Sequence, residues 1–189
     1  MKILLLGDSF SAAVEDDNIL GWPILLERNF SVDNKSQSGS SEFRIFENLK
    51  ISDLDEYDKI IISHTSPMRT YVSYNPLHQD TKYHTNCDII FSDVENRKDE
   101  FSVACQSFFK HIFDIGYAID IHNLICQEIN KITSNHDVLH ITHFDYTKLY
   151  NFEGMIHFYH HWLEHQGNVN HYDQQGNNFV YSEILKRLS

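Results

Sequence analysis

Residues 2–7, Lys-Ile-Leu-Leu-Leu-Gly, are mostly a continuous apolar run that stops on a glycine. A short run without polar alternation predicts a strand buried on both faces of a parallel sheet. The next segment, NILGWPILLERNF (18–30), predicts a helix. Pro23 suits its first turn, and Ile24, Leu25 and Leu26 give it an apolar face. FSVDNKSQSGSS (30–41) begins as a weaker strand and ends in small residues. SEFRIFENLK (41–50) predicts a short helix capped by Ser40 or Ser41. DKIIISH (58–64) is the second clear buried strand. Strand, helix, strand, helix, strand over the first third predicts an α/β domain with a mostly parallel sheet.

The pattern then loosens. Residues 66–99 contain Pro67 and Pro76 and little periodicity, and read as a long insertion from the sheet. From 100 to 133, Phe101, Ala104, Cys105, Phe108, Phe109, Ile112, Phe113, Ile125 and Ile129 have helical spacing. They predict one long helix that Gly116 bends or breaks. DVLHITHF (137–144) is the next strand, and 145–170 is irregular, aromatic and rich in histidine. A last helix over 174–189 carries Phe179, Val180, Ile184 and Leu185 on one side. No repeat or linker divides the chain, so 1–189 reads as a single domain.

Composition narrows the function classes. The 189 residues carry a net charge of −12. That balance excludes a phosphate-gripping basic face, so no nucleic acid is expected, and it disfavours docking on an anionic membrane. Cys87, Cys105 and Cys126 are odd in number and form no Cys-x-x-Cys pair. They read as free thiols of a reducing compartment. The opening MKILLLGDSF has too short an apolar stretch for a signal peptide, and Asp8 interrupts it. No run is long enough to span a bilayer. A cytoplasmic protein is expected, and a virion component assembled in a cytosol has the same composition. The oligomeric state is not legible.

Chemistry-bearing residues fall at the predicted strand ends, where open α/β sheets bind ligands. ILLLGDSFS (3–11) puts Ser9 after the first strand. Gly39 follows the second, Ser63-His64-Thr65-Ser66 the third, and His171 precedes the last helix. A serine hydrolase needs a nucleophile, a base, a group that orients the base, and oxyanion donors.

GDSFS (7–11), SQSGSS (36–41) and HYDQQGNNFVYSEIL (171–185) together resemble the sequence blocks of the SGNH, or GDSL-like, hydrolases. The resemblance covers nearly the whole chain. It implies a three-layer α/β/α, flavodoxin-like fold. It implies Ser9 as nucleophile, His171 as base, and the N–H groups of Ser9 and Gly39 as oxyanion donors. Two positions depart from the family pattern. The third block of the family reads Gly-x-Asn-Asp, and here SHTSPMR (63–69) has Thr65 at the asparagine position, with Arg69 placed to assist. The acid three residues before the histidine is replaced by Asn168. An asparagine orients an imidazole without balancing its charge, and the same change in a serine protease costs about ten-thousandfold. Asp173, Glu164 and Asp145 are alternative partners for His171.

Substrate contacts are expected from Asp8, His64, Arg69 and Trp162, although Asp8 also suits a turn-fixing role. In HFYHHWLEHQ, His157, His161 and His165 have the spacing of one helix face, and His160 pairs with Glu164. This is not His-Glu-x-x-His and no clear third ligand emerges, so neither a metal nor a cofactor is expected. Phe158, Tyr159 and Trp162 are placed to stack on a sugar ring or an acyl group. The function implied is a serine esterase that removes small acyl groups, acetyl above all, from a small-molecule or carbohydrate ester. An acyltransferase on the same scaffold and a degenerate carbohydrate-binding module are the alternatives.

Overall fold

The computed structural model describes all residues except 13, 14, 17, 18, 80–84, 146–148, 168–170 and 189. Its first half contains β1 (Lys2–Leu6), β2 (Glu15–Asp16), β3 (Ile19–Leu20), α1 (Trp22–Glu27), β4 (Ser31–Asn34), α2 (Glu42–Lys50) and β5 (Lys59–His64). Its second half contains α3 (Phe91–Val94), α4 (Glu100–His111), α5 (Ile115–Thr133), β6 (Val138–Thr142), β7 (Ile156–His157), α6 (Tyr159–Glu164) and α7 (Gln174–Leu188).

Five strands form one parallel sheet in the order β4-β1-β5-β6-β7. The chain steps from β1 to one side, then crosses to the other side at β5. That reversal makes the β1/β5 boundary the switch point of the sheet, the position at which open α/β sheets bind ligands. Both faces are covered. Ile3, Leu5 and Ile61 pack with Trp22 and Leu26 of α1 and Val180 and Ile184 of α7. Leu4, Leu6, Ile60 and Ile62 pack with Ile45 and Leu49 of α2 and Cys126 and Ile129 of α5. A continuous apolar strand is what two covering layers require, since alternate residues enter different cores. The result is the expected three-layer α/β/α architecture.

The chain departs from its sequence pattern in two helical places. The single helix expected over 100–133 is two, α4 and α5, and the break falls before Gly116. Asp114 accepts the N–H of Tyr117 at 2.7 Å and so starts α5 as an N-cap. His157, expected on a helix with His161 and His165, lies instead in β7. Among the described residues no helix is long and apolar enough to cross a membrane.

The segment after β5 is fastened to α2 by one buried carboxylate. Asp88 accepts from Ser41 N (2.8 Å), Arg44 Nε (3.0 Å), Arg44 Nη2 (2.6 Å) and Val72 N (3.1 Å). Exchanging Asp88 for Asn leaves the guanidinium of Arg44 without its counter-charge in a half-buried site. Asp88→Asn is expected to cost on the order of 3 kcal/mol in a urea melt; a loss below about 1 kcal/mol would show that this segment does not depend on the pair.

Candidate active site

β1 delivers Gly7, Asp8 and Ser9 to the switch point. Gly7 has no room for a side chain: a Cβ there would meet Ser11 Oγ at 2.1 Å and Ser63 Cβ at 2.6 Å. The turn that follows is held by Asp8. Its Oδ1 accepts the N–H of Phe10 at 3.0 Å, its Oδ2 accepts the hydroxyl of Thr65 at 3.0 Å, and its carbonyl accepts from Ser11. Both carboxylate oxygens are therefore used inside the protein. Asp8, expected either to fix the turn or to contact substrate, fixes the turn and ties β1 to β5. Burial raises its pKa to about 6, against the lowering effects of the Phe10 N–H, the Thr65 hydroxyl and the Arg69 charge.

Ser9, half-buried, follows at the turn. Gly39 closes the neighbouring loop in a left-handed conformation, φ +72°, with Cys87 Cβ 2.6 Å from where its own Cβ would stand. Among the described residues, neither the N–H of Ser9 nor that of Gly39 has a hydrogen-bond acceptor. Gly39 is buried, and a buried backbone donor without a partner is rare in folded proteins. The loops are stitched together by Gln37 N donating to Gly7 O at 3.1 Å and Asn34 Nδ2 donating to Ser11 O at 3.0 Å. Arg69 reaches the same corner, with Nη1 3.4 Å from the Cβ position of Gly39 while donating to Asp88 O at 2.9 Å.

The hydroxyl of Thr65, expected as a third oxyanion donor, donates to Asp8 Oδ2 at 3.0 Å. His64, expected to contact substrate, is engaged within the protein. Its ring is buried and bonded at both nitrogens, Nδ1 to Glu42 Oε1 at 2.7 Å and Nε2 to His140 Nδ1 at 2.9 Å. It stacks on Phe152 at 4.4 Å. Its place on β5 matches that of Ile60 and Ile62, which face the α2 and α5 layer.

His171 lies beside the Ser9 turn, its ring edge-on to Phe10 with centroids 5.4 Å apart. Trp162 meets Phe10 from another side at 6.3 Å, so one aromatic residue next to Ser9 brings the histidine and the tryptophan together. Asn168 lies outside the described residues. Of the alternative partners for His171, Asp173 is engaged elsewhere: Oδ1 accepts Gly176 N at 2.7 Å and Oδ2 faces His165 Nδ1 at 3.5 Å.

Several residues at the site had no distinguishing sequence signal. Glu42 opens α2 and is fully buried. It accepts from Thr65 N at 3.1 Å and faces His64 at 2.7 Å and His122 Nε2 at 3.3 Å. Burial alone would raise its pKa, but the charge of His64 and the hydrogen bond and charge of His122 hold it well below the usual carboxylate range. His143, at the end of β6, stacks on Phe10 at 4.6 Å and bonds Tyr172 Oη at 2.8 Å. Its Nε2 is buried without a partner among the described residues, and burial, then the charge of His171, lowers its pKa to about 3. None of these has a recognisable motif, because each gains its role from a neighbour distant in sequence.

No family model and no curated protein matches the chain. Similar solved structures include the psychrotrophic esterase EstA from Pseudoalteromonas sp. inhibited by monoethylphosphonate, with 14% identity, a TM-score of 0.47, and coverage of 99% of this chain and 96% of that one. An acetyl xylan esterase, AlAXEase, has 12% identity and a TM-score of 0.45, with each chain covered completely. A lipolytic protein of G-D-S-L family from Desulfitobacterium hafniense DCB-2 has 14% identity and a TM-score of 0.42, with 98% of each chain covered.

The raised pKa of Asp8 has a definite consequence for stability. The folded chain holds this proton up to about pH 6, whereas the unfolded chain releases it near 3.8. The fold therefore binds more protons in that window, and this contribution to stability falls as pH rises through it. Asp8→Asn removes the effect. The stability of Asp8→Asn relative to the parent is expected to improve by about 2 to 3 kcal/mol between pH 4 and pH 7; a difference that stays flat across that range would contradict the assignment. In its blocks GDSFS, SQSGSS and HYDQQGNN and in its parallel sheet, the chain resembles the SGNH/GDSL-like hydrolases.

Proposed function

We propose that the protein is a serine ester hydrolase with Ser9 as nucleophile and His171 as base. The observation that carries this reading is the pair of unpartnered backbone donors, Ser9 N–H and the buried Gly39 N–H, at the end of the strand that presents the Ser9 hydroxyl. Backbone N–H groups left without an acceptor have a use where a carbonyl oxygen gains negative charge.

In the reaction, Ser9 Oγ attacks the ester carbonyl carbon and its proton passes to His171. The carbonyl oxygen becomes an oxyanion, held by the two N–H groups. Collapse of the tetrahedral intermediate breaks the bond to the alcohol, and His171 returns the proton to that oxygen. Water, deprotonated by His171, then releases the acyl group from Ser9 as the acid. Asp8 and Thr65 contribute indirectly by fixing the turn that carries Ser9.

The substrate class we favour is a small acyl ester of a carbohydrate. Trp162 beside Phe10, with Tyr159 tilted against it at 6.0 Å, gives an aromatic surface near His171 on which a sugar ring can stack. A second reading, a binding module without catalysis, is favoured by the engagement of the Thr65 hydroxyl with Asp8, which removes one of the family's three oxyanion donors.

Hydrolysis of acetylated xylo-oligosaccharides and of short p-nitrophenyl esters separates the two. Ser9→Ala and His171→Ala are each expected to lower kcat/KM by at least about a thousandfold with the fold intact. Equal activity in Ser9→Ala would contradict the assignment, and sugar binding without turnover in the parent would favour the module.

A further inference from the structure

Among the described residues, two groups of side chains away from the Ser9 and His171 turn each bring three metal-ligating atoms within 4.8 Å of one another. One is Glu42, His122 and Cys126 in the interior; the other is His161, Glu164 and His165 at the surface. The interior group is already engaged. Glu42 accepts from Thr65 N and faces His64 and His122, and His122 Nε2 also meets the Thr65 carbonyl at 3.1 Å. Burial holds the Cys126 thiol far above its ordinary range, whereas a metal takes the thiolate.

The surface group is differently placed. His161 is in α6 and His165 is the residue that ends it, so their rings lie side by side with centroids 4.5 Å apart. Stacking on Phe179 at 3.9 Å fixes the plane of His161. His161 Nε2 is shielded from water and has no hydrogen-bond partner among the described residues. Glu164, exposed, has no cationic partner among the described residues other than these rings. Asp173 Oδ2, 3.5 Å from His165 Nδ1, supplies a carboxylate that orients the second imidazole.

We propose that His161, Glu164 and His165 form a zinc-binding site. Two imidazoles and one carboxylate are an established zinc donor set that leaves a fourth position for water. Metal–ligand bonds of about 2.0 to 2.2 Å put neighbouring ligand atoms roughly 3.4 Å apart. Glu164, at the surface, is free to swing in by the remaining ångström or so. The site stands at the base of the segment that carries His171. There Asp173 N donates to His165 O at 2.9 Å, and Gly167 N donates to His171 O at 2.6 Å. A bound ion braces that segment from below.

The test uses the Ser9→Ala protein, so the result does not depend on whether the chain hydrolyses esters. Zinc binding is read by competition with a chromophoric chelator, and cobalt(II) by its visible absorption. One zinc per chain with a Kd below about 10 µM, intense four-coordinate cobalt bands and a zinc-dependent rise in Tm are expected. His165→Gln and Glu164→Gln should each weaken binding at least tenfold and abolish the rise in Tm, with circular dichroism showing the fold intact. Cys105→Ser, which alters the most accessible thiol, should bind as before. A Kd above about 10 µM, binding unchanged by His165→Gln and Glu164→Gln, or binding lost in Cys105→Ser would overturn the proposal.

Discussion

The arrangement at the strand ends depends on one buried charge, the carboxylate of Glu42. It sits in the first turn of α2, where the backbone N–H groups of a helix favour an anion. It also faces two other elements, His64 and Thr65 at the end of β5 and His122 within α5. A carboxylate removed from water is costly unless its lone pairs are filled, and here three donors fill them. The position of Thr65 follows from that clamp. Thr65 in turn donates to Asp8, Asp8 accepts from Phe10 N, and the turn so formed presents Ser9. Ser9 is therefore positioned by a relay of hydrogen bonds that begins one layer behind it.

Histidines take different parts in this scheme according to burial. His140 is kept neutral, its pKa lowered to about 3 by burial and then by His64, and it stacks on Phe152 at 3.8 Å. His122 goes the other way: burial lowers its proton affinity, but the hydrogen bond and charge of Glu42 more than offset that. A neutral ring among aromatics and a ring held beside a carboxylate serve packing and charge balance. His171, next to Phe10 at the edge of the sheet, is the one we assign to proton transfer.

Much of this was legible in the chain. The runs KILLLG and DKIIISH announce β1 and β5 because both cores draw on them, and Ser41 and Pro23 mark their helices through local chemistry. Ser9, Gly39 and His171 stand out as candidates in the sequence because they lie at ends of elements in recognisable blocks. What the chain does not announce are partners remote in sequence. His64 stands at a strand end, and Glu42, twenty-two positions away, meets its Nδ1. The Thr65 hydroxyl donates to Asp8, fifty-seven positions away. The split between α4 and α5 was hidden because the apolar spacing continues across it, and only the capping geometry of Asp114 shows where one helix stops.

The most direct test of a nucleophilic Ser9 is the site of phosphonylation by a fluorophosphonate, located by intact mass and peptide mapping on the folded protein. The account predicts one adduct per chain, on Ser9, formed much more slowly in His171→Ala. An adduct on a different side chain, or none on folded protein, would contradict it.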